Sequence, residues 1–199
     1  MPLRELPFDQ SANAKAYVNI VAVGDSITDH HWTTALEAAL PDAVITPAGV
    51  GGADLDVIAL DVYVSAPDPN ASENIMILWG GSNDLAEGRD PEDAFGKLQY
   101  LVDYASASGW EVWAPTALDR FDVSALEAQG IDAFNETIRT SLENAFVIDM
   151  AAAYDNHPGA AALYQDQVHP NDAGYAYIAE TFLGYADALG LTGALAASG

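Results

Sequence analysis

The sequence has no cysteine, which removes disulfide staples, thiolate nucleophiles and cysteine-bound zinc together. The compartment stays open on that count. Cations are nearly as scarce: 6 Lys and Arg stand against 30 Asp and Glu, for a formal charge of -24. Nucleic acid is therefore a poor partner, because a phosphate backbone is held by clustered Lys and Arg that so few scattered cations cannot supply. Anionic membranes are disfavoured by the same repulsion. No uncharged apolar run reaches the roughly 18 residues of a membrane span. The first residues mix Arg4, Glu5, Asp9 and Lys15 and do not read as a signal peptide. Internal repeats and inter-domain linkers are also missing.

What is present suits one folded domain over residues 1–199, with the stretch from Gly190 to Gly199 expected to fray. Half of the residues are hydrophobic, enough to build a core without staples. Short β-rich runs at Tyr17 to Val23, Ala43 to Thr46, Asn74 to Trp79, Trp110 to Ala114 and Ala145 to Ile148 alternate with helical stretches. The helices are expected at His31 to Leu40, Leu55 to Val64, Pro91 to Ser108, Ile131 to Glu143 and Asn171 to Leu189. Asp90 before Pro91 and Asn171 after Pro170 read as N-caps. Segments Ser65 to Ser72 and Asp119 to Gln129 read as loops or short helical connections. This alternation predicts an α/β protein with a five-stranded parallel sheet, whose ligands bind beyond the carboxyl ends of the strands.

The residues at those ends carry the chemistry. Ser26 follows the first strand in a Gly24-Asp25-Ser26 turn, where a hydroxyl can stand among backbone N–H groups as a nucleophile. A serine needs a base, and His169 in Asp166-Gln167-Val168-His169-Pro170 is the best candidate, with Asp166 placed to hold the imidazole. Acyl transfer also needs donors where negative charge develops on oxygen. The Ser26 N–H, the Gly52 N–H and the Asn83 amide suit that task, glycine because a backbone must approach substrate with no Cβ in the way.

The blocks GDSIT at 24–28, a glycine turn at 49–52, GGSND at 80–84 and DQVHP at 166–170 resemble, in content and order, those of the SGNH, or GDSL-type, hydrolases. The resemblance implies a flavodoxin-like three-layer α/β/α sandwich. It also implies a cofactor-free serine esterase with Ser26, Asp166 and His169 as the triad and Ser26, Gly52 and Asn83 as the oxyanion hole. The expected substrates are acetyl or short-acyl esters, above all on carbohydrate. The alternatives are a thioesterase or lysophospholipase, or a carbohydrate-binding module on the same scaffold that has lost turnover. Where the family often has Asn-Ala in its second block, this chain has Pro47-Ala48 ahead of Gly49-Val50-Gly51-Gly52, so Gly51 stands as an alternative donor to Gly52.

Other polar residues read more plainly. His157 in Asp155-Asn156-His157-Pro158 looks like the base but lacks the acid three residues earlier and the helix immediately after. Adjacent His30 and His31 diverge and have no third ligand in view, so no metal is expected. Asp25 and Asp84 are expected to brace their turns. Trp32, Trp113 and Tyr164 lie near the expected active edge as candidate substrate-lining residues, and an aromatic face there would suit a sugar ring. The acidic excess itself reads as salt adaptation, since concentrated cations screen self-repulsion. A thermal melt should then rise between about 0.1 M and about 3 M KCl, and a flat response would remove that reading.

Overall fold

In this computed structural model residues 17–189 are described; the segment read as lacking a signal peptide and the tail expected to fray lie outside them. The β-rich runs become five strands: β1 (Val18–Gly24), β2 (Ala43–Gly49), β3 (Glu73–Trp79), β4 (Glu111–Pro115) and β5 (Phe146–Ile148). They form one parallel sheet in the order β2-β1-β3-β4-β5. The chain leaves β1 toward one side and returns on the other, so the switch of direction falls between β1 and β3, where ligands bind in sheets of this kind. β2 runs on through Pro47, past its expected end at Thr46. A proline is tolerated there because β2 is an edge strand, where a missing N–H costs no ladder bond.

Helices cover both faces. α1 (Trp32–Ala39) and α7 (Asp172–Ala188) pack on one side around Ile20, Trp32, Leu36, Ile77, Ile178 and Phe182. The other side holds α2 (Leu55–Val64), α4 (Pro91–Ala107) and α5 (Ala125–Ser141) around Ile58, Met76, Leu78, Leu101, Val112 and Phe134. Two short helices, α3 (Ser82–Ala86) and α6 (Met150–Asp155), follow β3 and β5. The result is a three-layer α/β/α sandwich. None of the described helices is long and apolar enough to cross a membrane.

Caps place most helix starts where local chemistry dictates. Asp90 accepts from the Glu92 N–H ahead of Pro91, and Asn171 accepts from the Gly174 N–H. The start of α5 is a correction: it begins at Ala125 rather than Ile131. Ser124 and Glu127 form a reciprocal capping box, which satisfies two end groups and lets the helix absorb Gly130.

Buried polar groups tie the loops above the sheet to one another. Asp25 accepts from the Ile27 N–H at 2.9 Å within its own turn and from the Ser82 hydroxyl at 3.3 Å across the sheet. Burial pushes its carboxyl pKa up, against these hydrogen bonds. Asp84, 1% exposed, accepts from the Leu55 N–H at 3.0 Å and so joins the turn after β3 to the start of α2. Arg89 Nη1 stands 2.9 Å from its other oxygen, an ion-pair contact without hydrogen-bond alignment. Both aspartates thus brace across elements, beyond the turns in which they sit.

Desolvation dominates at Asp84 and raises its pKa from 3.8 to about 6, with the Leu55 N–H and Arg89 pulling the other way. A carboxyl with a raised folded pKa binds its proton more tightly folded than unfolded. Its contribution to stability is present at low pH and is lost as pH rises through the folded value. Wild type should therefore lose stability relative to Asp84→Asn between about pH 4 and about pH 7, on the order of 2 to 3 kcal/mol. Paired thermal melts across that range check this, and a difference that stays constant with pH would contradict it.

Candidate active site

Ser26 leaves β1 in a single helical turn closed by the Thr28 and Asp29 N–H groups on the Asp25 carbonyl. It sits half-buried just past the carboxyl end of β1, beside the switch point of the sheet. His169 comes from 143 positions away on the loop before α7, and its Nε2 lies 3.0 Å from Ser26 Oγ. That loop is built around Asp166. One carboxylate oxygen, Oδ1, accepts from the backbone N–H groups of Val168 and His169, each at 2.7 Å, while Oδ2 lies 2.9 Å from His169 Nδ1. The three-residue spacing thus has a mechanical reason: the carboxylate folds the loop back on itself and meets the ring that the loop carries. These hydrogen bonds hold the Asp166 pKa down at about 2, the His169 backbone bond first and its ring second. The acid stays ionised, which suits an imidazole that takes up a proton on Nε2 and keeps its proton on Nδ1.

The glycine turn after β2 lies against the Ser26 loop. A Cβ at Gly49 would run into the backbone of Asp29, so the two turns touch only because that side chain is missing. Gly52 has φ +71°, a left-handed conformation that disfavours other residues. Gly51 and Gly52 are both exposed, with open space where a Cβ would stand. Asn83 lies in the first turn of α3, half-buried, and one hydrogen of its Nδ2 goes to the Ala53 carbonyl at 2.9 Å. Its Oδ1 accepts from Arg120 Nη1 at 2.7 Å. Guanidinium only donates, so the amide oxygen must face Arg120, which leaves one Nδ2 hydrogen without an acceptor among the described residues.

Two of the aromatic expectations are corrected. Trp32 is fully buried, stacked on Phe182 with ring centroids 4.8 Å apart, and its indole N–H donates to the Ile27 carbonyl at 2.9 Å. It braces the Ser26 turn from beneath. Trp113 lies within β4, in the run expected from Trp110 to Ala114, and is buried in the same core. Both are large apolar rings on the inward face, and burial there outweighs exposure to a ligand. Tyr164 is half-buried beside the His169 loop and meets the exposed Phe121 edge to face at 5.2 Å. Phe121 and Arg120 lie in the Asp119 to Gln129 segment, which reads as a loop or short helical connection and carries no motif that points to them. The one signal for Arg120 was the scarcity of cations.

The remaining histidines have local partners. His157 accepts from the Gly159 N–H at 3.1 Å and packs on Tyr177. His30 stacks on Tyr175 and its ring lies 6.3 Å from that of His169. Among the described residues, no three His, Asp or Glu side chains are grouped to hold a metal ion. The arrangement as a whole can move a proton from a hydroxyl to an imidazole backed by an ionised acid. It has neutral donors near the same hydroxyl's loop.

The protein's fold is shared with solved structures. A lipolytic protein of the G-D-S-L family from Veillonella parvula superposes with a TM-score of 0.74 at 22% identity, covering 84% of this chain and 97% of that one. An acetyl xylan esterase gives 0.71 at 21% identity, covering 84% and 98%. Axe2, an acetylxylan esterase from Geobacillus stearothermophilus, gives 0.68 at 17%, covering 85% and 95%. Among curated proteins none matches the sequence. The family model of the GDSL-like lipase/acylhydrolases matches residues 22–177, which takes in the Ser26 turn, the glycine turn, Asn83 and the Asp166 to His169 loop, and the chain belongs to that family.

Proposed function

We propose that the protein is a serine carboxylic ester hydrolase that removes acetyl or other short acyl groups, with acetylated carbohydrate as the preferred substrate class. The observation that carries the reading is the unbroken chain from Ser26 Oγ to His169 Nε2 at 3.0 Å and from His169 Nδ1 to Asp166 Oδ2 at 2.9 Å. In the first half-reaction His169 takes the Ser26 proton as Oγ attacks the ester carbonyl. Negative charge gathers on the carbonyl oxygen and is met by the N–H groups of Ser26 and Gly52 and by the unused Nδ2 hydrogen of Asn83. The intermediate collapses when His169 passes its proton to the leaving alcohol. Water, deprotonated by His169, then attacks the acyl-serine, and Ser26 regains its proton as the acid leaves.

Carbohydrate is favoured by two observations. Phe121 and Tyr164 offer an aromatic surface beside the His169 loop, against which the apolar face of a sugar ring can lie. Two of the structural neighbours are described as acetyl xylan esterases. The field of 24 net negative charges weighs against anionic esters.

Release of acetate from p-nitrophenyl acetate and from acetylated xylo-oligosaccharides tests the proposal. Ser26→Ala should lower kcat by at least about 10³-fold on both. Activity that survives the substitution would remove Ser26 from the mechanism. Phe121→Ala should raise KM for the oligosaccharide several-fold and leave p-nitrophenyl acetate hydrolysis nearly unchanged. Equal effects on the two substrates would speak against the aromatic surface as a sugar platform.

A further inference from the structure

Arg120 is one of only 6 Lys and Arg in the whole sequence, and its side chain is 12% exposed. Arg89, Lys97 and Arg139 pair with carboxylates at 2.7 to 2.9 Å. Arg120 divides its donors. Nε and Nη2 grip the Asp122 carboxylate side-on at 3.0 and 2.8 Å, which turns the guanidinium plane and leaves Nη1 to reach the Asn83 amide oxygen at 2.7 Å. The same loop is tied to the His169 loop by the Phe121 N–H, which donates to the Gln167 carbonyl at 2.8 Å.

We propose that Arg120 is a positioning residue for the oxyanion hole, acting through Asn83. This rests on the esterase reading above. An amide free to rotate presents either its oxygen or its nitrogen to substrate, and oxygen there would repel the developing oxyanion. Arg120 forbids that orientation, because a guanidinium cannot accept a hydrogen bond. Together with the Ala53 carbonyl it clamps the amide at both ends and leaves a single N–H for the substrate. A charged donor on the amide oxygen also draws electron density from the nitrogen and sharpens the remaining N–H as a donor. In a protein of net charge -24 the site has few other positive groups from which to draw such help. The gain is realised when charge accumulates on the substrate oxygen, so it falls on kcat more than on KM.

The test is steady-state hydrolysis of p-nitrophenyl acetate by wild type, Arg120→Met, Asn83→Ala and the double variant, with thermal melts to confirm folding. Arg120→Met should lower kcat by about 10- to 100-fold with KM within about threefold, less than the full removal of a donor. In the Asn83→Ala background the same substitution should change kcat by less than about threefold, since its target is gone. Arg120→Lys, which can keep the bond to Asn83 but not the fork on Asp122, should fall between wild type and Arg120→Met. If Arg120→Met fails to fold, Asp122→Asn replaces it in the cycle, with a smaller loss of kcat and the same dependence on Asn83. An unchanged kcat, or equal losses with and without Asn83, would overturn the assignment. If turnover requires Ser26 yet ignores Arg120, only this assignment falls; a wild type without esterase activity would remove both.

Discussion

The register of β1 against its two neighbours is the constraint on which the candidate site depends. β1 pairs with both neighbours so that Gly24 lies opposite Gly49 on one side and opposite Trp79 on the other. Three strands therefore end at one level, and the turns that follow them carry Ser26, the glycine pair and Asn83. A slip of one residue in either ladder would send alternate side chains to the wrong face. The hydrophobic residues on the two faces of β1 and β3 oppose such a slip, so the core that stabilises the sheet also holds the turns level.

Above that level the turns are held by polar groups withdrawn from water. Asp25 reaches Ser82, Asp84 reaches Leu55, Asn83 reaches Ala53, and Trp32 supports the Ile27 carbonyl from the core. Each link joins two of the three turns or fastens one to the layer beneath. Burying carboxylates is costly, as the upward pKa shifts at Asp25 and Asp84 show, and that cost is accepted where loops must keep fixed positions. The Asp166 loop works differently. It is exposed, uses short-range hydrogen bonds, and lowers its acid's pKa instead of raising it.

That contrast explains what was readable in advance. Helix starts at Pro91 and Asp172 and the Asp166 to His169 spacing were legible because each depends on bonds between residues two or three apart. The start of α5 was misplaced although its capping box is equally local, because Gly130 inside the helix masked the signal at Ser124 and Glu127. Trp32 and Trp113 depart from expectation for another reason. An aromatic residue at a helix start or within a strand can face inward or outward, and only the packing of α7, through Phe182, settles that Trp32 faces inward.

By itself the sequence determined the alternation of strands and helices, the shortage of positive charge and the set of polar residues gathered after the strands. Tertiary structure alone decided that Ser26 and His169 meet across 143 positions, that Asn83 is held between Ala53 and Arg120, and that Phe121 stands open beside Tyr164. The division follows from range. Caps, turns and periodicity are written within a few residues, whereas the meeting of distant side chains depends on strand order and register, which only the completed core imposes.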